Sequence, residues 1–63
     1  MKGKVKFFNA EKGFGFITGE DGVDYYVHNM ELVNGASINT DDSVTFETVK
    51  GDRGMKAVKV SKN

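Results

Sequence analysis

Aromatic rings gather in two short stretches, KGFGFI (12–17) and DYYVH (24–28), with the pair Phe7 and Phe8 ahead of them. Alternation along an extended chain puts Phe14 and Phe16 on one face and Ile17 on the other, and sets Tyr26 and His28 opposite Tyr25 and Val27. With Ile17 and Val27 assigned to the interior, Phe14, Phe16, Tyr26 and His28 form an outward patch. Phe7 or Phe8 joins it from the first strand, and Lys6, Lys12 and Arg53 rim it. Contiguous exposed aromatic surface on a small protein marks a binding site. Flat rings stack on any base at about 1–3 kcal/mol each, while basic side chains hold the phosphates. That chemistry suits a single-stranded nucleic acid. A duplex already stacks its bases on one another and is reached by other geometry. The competing reading is that some of these rings fill the core, because so short a chain needs large apolar groups.

Other chemistries find little support. General acid–base catalysis requires two groups converging in a cleft. His28 is the only histidine, and Asp24, on the same strand face, lies four residues away. The chain is therefore not expected to be an enzyme, and no small-molecule substrate is expected. One imidazole and scattered carboxylates do not make a metal site, so no metal or cofactor is expected. Cysteine is absent, which removes thiolate ligands, thiol nucleophiles and disulfides.

The elements that must position these rings are short. The 63 residues, 6.9 kDa, make one domain, 1–63, whose core has to stabilise it unaided. Apolar residues are mostly aromatic or β-branched and recur with a period of two, so strands are expected over 3–9, 14–18, 24–28, 44–50 and 55–61. Val5, Val44, Phe46, Val58 and Val60 should face inward. The adjacent Phe7 and Phe8 break the alternation and call for a bulge or bend. AEKG, GEDG and GDRG supply turns. Residues 29–43 read as a polar loop with at most one helical turn around Met30 to Val33. With no long amphipathic helix to cover a sheet, the strands should curl into a small all-β barrel. Proline is absent, which leaves the unfolded chain free and the domain marginal.

Formal charge is +0, yet it is unevenly spread. Residues 1–18 hold four lysines against Glu11, 19–47 hold seven acids and no Lys or Arg, and 48–63 return to a net +4. If the terminal strands lie together, a neutral protein can turn a positive face to phosphate. An ordinary solvated surface is the bland alternative. No apolar run has the length of a signal peptide core or a membrane span, which with the lack of cysteine points to the cytoplasm.

GKVKFFNAEKGFGFIT, together with DYYVH and GDRG, resembles the bacterial cold-shock protein family over nearly the whole chain. The resemblance implies a five-stranded antiparallel OB-fold barrel that binds single-stranded RNA and DNA with low sequence specificity, without a membrane. It further implies a role as an RNA chaperone, antiterminator or cold-shock regulator. Carried residue by residue, it makes Lys6 and Lys12 phosphate contacts, makes Phe7, Phe8, Phe14, Phe16, Tyr26 and His28 stacking groups, and adds Arg53 from the last turn. The pattern departs from the family at four places. Phe7 stands where tryptophan is usual, and Asn29 replaces a phenylalanine. The 29–43 loop is about two residues short and lacks a ligand-facing ring, a place Ile38 could fill in part. Met55 replaces a proline. These departures predict a reduced or shifted footprint, and leave open a protein-interaction module on the same barrel. Nothing signals a dimer, so a monomer is expected.

Overall fold

The period of two is realised as five strands: β1 (Lys2–Asn9), β2 (Phe14–Gly19), β3 (Asp24–His28), β4 (Ser43–Gly51) and β5 (Gly54–Lys62). The computed structural model describes residues 1–33, 37–52 and 54–62. The strands form a closed barrel in the order β1-β2-β3-β5-β4, with β4 returning to β1. Closure leaves no long free edge to pair with another chain. Successive strands reverse direction, so β3 and β5, both odd-numbered neighbours, must meet in parallel. They do so through Tyr26 and Lys56, and every other strand pairing is antiparallel. The fold is thus the expected OB-type barrel with one parallel seam.

Val5, Ile17, Tyr25, Val27, Ile38, Val44, Phe46, Ala57 and Val60 are buried inside, with Phe8 and Leu32 packed against them. Each large side chain buried this way is worth about 1.5–3 kcal/mol. Tyr25 stacks at a tilt on Phe46, ring centroids 5.4 Å apart. Its hydroxyl reaches out of the core to donate to Asp21 at 2.6 Å. That bond, with a second from the Val23 N–H, holds the Asp21 carboxyl below the usual carboxylate range, and it raises the Tyr25 phenol above its own.

Two irregularities decide which residues face in. In β1 the register slips between Val5 and Phe7, making Lys6 the extra residue of a bulge. Phe7 consequently stays outside and Phe8 turns inward, resolving the expected break in alternation. In β5 the slip lies opposite Phe46, and Lys59 adopts a left-handed φ of 51°. Ala57 and Val60, three apart, are therefore both buried, while the expected inward Val58 is only half-buried. The 29–43 connection contains a single-turn 3-10 helix, Asn29–Glu31. Ile38, at 4% exposure, is a core residue and does not take the place of the missing ligand-facing ring.

Candidate functional site

Three strands lay out the outer face as a grid. Phe14 of β2 pairs with Asn9 of β1 and His28 of β3; Phe16 pairs with Phe7 and Tyr26; Thr18 pairs with Lys4 and Asp24. Because alternation sends every second residue of β2 and β3 inward, the same strands that line the core with Ile17, Tyr25 and Val27 present Phe14, Phe16 and Tyr26 outward.

The rings touch. Phe7 and Phe16 lie 5.6 Å apart at a 46° tilt, Phe16 meets Tyr26 edge-on at 5.8 Å, and Phe14 stacks on Tyr26 at 6.1 Å and 23°. Phe7 and Tyr26 keep about two-fifths of their surface in solvent, 41% and 38%. That exposure sets Phe7 and Tyr26 outside the core, with Phe14 and Phe16 half-buried beside them, so the reading in which some rings fill the core does not hold for this cluster. Phe8 is the exception. It packs against the core from the inner side, opposite Gly15, and is not in the ring cluster. A β-carbon at Gly15 would collide with the Phe7 carbonyl oxygen and lie 2.7 Å from Phe8 Cα, so only glycine lets β1 and β2 approach here.

Across the parallel seam the grid continues into a groove. Phe14, Phe16, Asp24 and Tyr26 form one bank, and Gly51, Asp52, Gly54, Met55 and Lys56 the other. Met55 and Lys56 arrive there because β5 pairs Lys56 beside Tyr26. No motif in the sequence marks Lys56, and its place follows only from that long-range pairing. No motif marks Asp24 as a site residue either. It accepts from Lys6 Nζ at 3.0 Å and from the Thr18 hydroxyl at 2.9 Å, and Lys6 first, then Thr18, lower its carboxyl below the ordinary range. Lys6 is thus on the rim but tethered to an acid. Lys12 is exposed in the turn leading into Phe14, its N–H held by Asn9 Oδ1. Arg53 lies outside the described residues.

The basic ends of the chain do not merge into one face. β4 separates β1 from β5, and Lys59 and Lys62 turn to Glu47 and Asp42 at 3.5 and 3.4 Å. Positive charge at and around the grid comes from Lys4, Lys6, Lys12 and Lys56 among the described residues.

His28 closes the row beside Phe14. Its Nδ1 accepts from the Met30 N–H at 3.2 Å, capping the 3-10 turn. Asn29 follows, its backbone N–H donating to the Gly13 carbonyl at 2.8 Å.

The site is thus a closed five-stranded barrel that carries Phe7, Phe14, Phe16 and Tyr26 on one outer sheet face, with lysines at the margins. The family model described as the "'Cold-shock' DNA-binding domain" matches residues 1–63. Cold shock protein 2 of Lactiplantibacillus plantarum is 48% identical over 60 residues, covering 92% of this chain and 91% of the relative. Cold shock-like protein CspLB of Listeria monocytogenes is 51% identical over 63 residues, covering 95% and 94%. Among solved structures, drosophila Unr CSD456 superposes with a TM-score of 0.75 at 18% identity, over 98% of this chain and 26% of that one. The chain belongs to the cold-shock domain family, a family of nucleic-acid-binding domains.

Proposed function

We propose that this chain binds single-stranded RNA and DNA with low sequence specificity by stacking bases on Phe7, Phe14, Phe16, Tyr26 and His28. Lys6, Lys12 and Lys56 take phosphates, and Arg53 adds a contact from the last turn. The observation that supports this best is the continuous ring contact from Phe7 through Phe16 and Tyr26 to Phe14, all on one exposed sheet face. Rings left in water at the cost of their own burial are available to bases, which present a π-face whatever their identity. Acting as a monomer in the cytoplasm, such a surface holds RNA unpaired, the chemistry of an RNA chaperone, antiterminator or cold-shock regulator. Among the described residues no helix is long and apolar enough to cross a membrane.

The test is fluorescence anisotropy of a labelled pyrimidine heptamer and of its duplex at two salt concentrations. Single-strand binding with a slope of about −3 in log K against log salt, largely lost for the duplex, is expected from the four cations named. Absence of single-strand binding below about 100 μM, some two decades weaker than a micromolar binder, would turn the search to a protein partner.

A further inference from the structure

The two banks of the groove are unequally furnished. Phe14, Phe16 and Tyr26 make one bank aromatic, whereas the facing bank holds Gly51, Asp52, Gly54, Met55 and Lys56. Two of these are glycines and two are charged, so among the described residues Met55 supplies the apolar side chain of that bank. It follows Gly54 at the start of β5, pairs with Lys50 across the hairpin, and keeps 41% of its surface in solvent. A thioether is polarisable and packs favourably against π-systems. Cysteine and tryptophan are absent from the chain, which leaves the sulfurs of Met1, Met30 and Met55 as its readily oxidised groups. Met30 is more exposed, at 83%, but does not line the groove. Met1 sits away from it, its sulfur 2.9 Å from where a β-carbon on Gly19 would lie at the far end of β2.

We propose that Met55 is an oxidation site that controls binding in the groove: hydrogen peroxide converts its thioether to the sulfoxide, and the sulfoxide weakens the hold on a nucleic-acid strand. This rests on the single-strand reading above. In the step, the sulfur lone pair attacks one peroxide oxygen, the O–O bond breaks and an S–O bond forms. The departing hydroxide takes the proton of the transferred hydroxyl and leaves as water, so sulfur is oxidised and the peroxide is reduced. The product is a polar group in place of an apolar one. A base lying between the rings and Met55 then has to strip water from the S–O dipole without returning a hydrogen bond to it. No charge is gained or lost, so the effect falls on the stacking part of the affinity and leaves the phosphate part alone. Methionine sulfoxide reductases reverse the change.

The experiment measures anisotropy with labelled heptathymidylate at several salt concentrations for the wild type, Met30→Leu and Met55→Leu. Each protein is compared with its own form after hydrogen peroxide treatment and removal of the peroxide. Mass spectrometry of tryptic peptides locates the added oxygen, and thermal melts confirm that every sample is folded. Oxidation should raise the Kd of the wild type and of Met30→Leu about three- to tenfold, with the salt slope unchanged. Reduction by methionine sulfoxide reductases should restore both. In Met55→Leu, the treated and untreated forms should agree within about twofold. Three results overturn the assignment to Met55 and leave the single-strand reading standing: a Met55 that stays reduced while Met30 is fully oxidised, an oxidised wild type that binds as tightly as the untreated one, or a Met55→Leu protein that loses as much affinity as the wild type. Failure of the untreated wild type to bind heptathymidylate overturns both.

Discussion

Replacing Phe16 by alanine removes the ring at the centre of the grid, and its consequences for binding and for folding separate cleanly. Phe16 touches Phe7 at 5.6 Å and Tyr26 at 5.8 Å and lines the groove. A base that loses its stacking partner forfeits about 1–3 kcal/mol. The two ring contacts, worth about 0.5–1.5 kcal/mol each, also hold the neighbouring platforms in place. With about 2 kcal/mol lost from binding, Kd should rise about thirtyfold. The core is touched little, because Val5, Ile17 and Val27 lie on the opposite side of the same strands. The lost ring contacts, about 1–3 kcal/mol together, should lower Tm by about 5–20 °C and leave the protein folded at low temperature. No charge is removed, so the salt slope should not change. Anisotropy of the labelled heptamer at several salt concentrations, beside thermal melts by circular dichroism, reads all three quantities. A folded Phe16→Ala protein whose Kd stays within about twofold of the wild type would refute the placement of the binding face.

Three further outcomes follow from the same geometry. Lys56→Ala should weaken binding to every strand alike and reduce the salt slope by about 0.7, and an unchanged slope would show that Lys56 meets no phosphate. Gly15→Ala forces a β-carbon against the Phe7 carbonyl and Phe8 Cα. It should cost about 2–3 kcal/mol and about 10 °C or more in Tm, and a melt at the wild-type temperature would contradict the close approach of β1 and β2. Asp21, whose carboxyl is lowered by Tyr25 and Val23, contributes stability that is complete above the unfolded carboxylate value of about 3.9 and is lost as pH falls through its depressed folded value. Melts between about pH 6 and pH 2.5 should show a shallower acid loss in Tyr25→Phe than in the wild type, and parallel curves would dismiss the bond as the cause.

Local periodicity was enough to read the strands and their faces. Ile17 inward with Phe14 and Phe16 outward, and Val27 inward with Tyr26 and His28 outward, follow from the pleat alone, and the structure keeps both. What escaped the pattern depends on register between distant segments. Whether Phe7 or Phe8 joins the grid turns on a bulge at Lys6, and the choice is made by how β1 meets β2. Val58 gives way to Ala57 because Lys59 takes a left-handed turn that no alternation rule contains. Ile38, alone among polar neighbours, has no periodic partner to reveal that it caps the core. Lys56 and Asp24 enter the site through pairings 30 and 18 residues away, with Tyr26 and Lys6 respectively. Charge counting failed for the same reason: the terminal lysines find acids of the middle segment instead of one another. The family resemblance was carried by the first motif and confirmed by the full-length match.

The seam between β3 and β5 gives the barrel a mechanical weak joint. β4 and β5 are laced from Val44 and Lys62 to Gly51 and Gly54, whereas β3 and β5 are fastened through Tyr26 and Lys56. The groove runs along that joint, with Phe14, Phe16 and Tyr26 on one bank and Met55 and Lys56 on the other. On the proposed function, a nucleic-acid strand seated there would work as a sixth stave, bracing two sides that the protein pairs through Tyr26 and Lys56. Amides flanking the seam should then exchange fastest in the free barrel and gain the most protection when it is occupied, because a ligand that binds only the closed form draws the opening equilibrium with it.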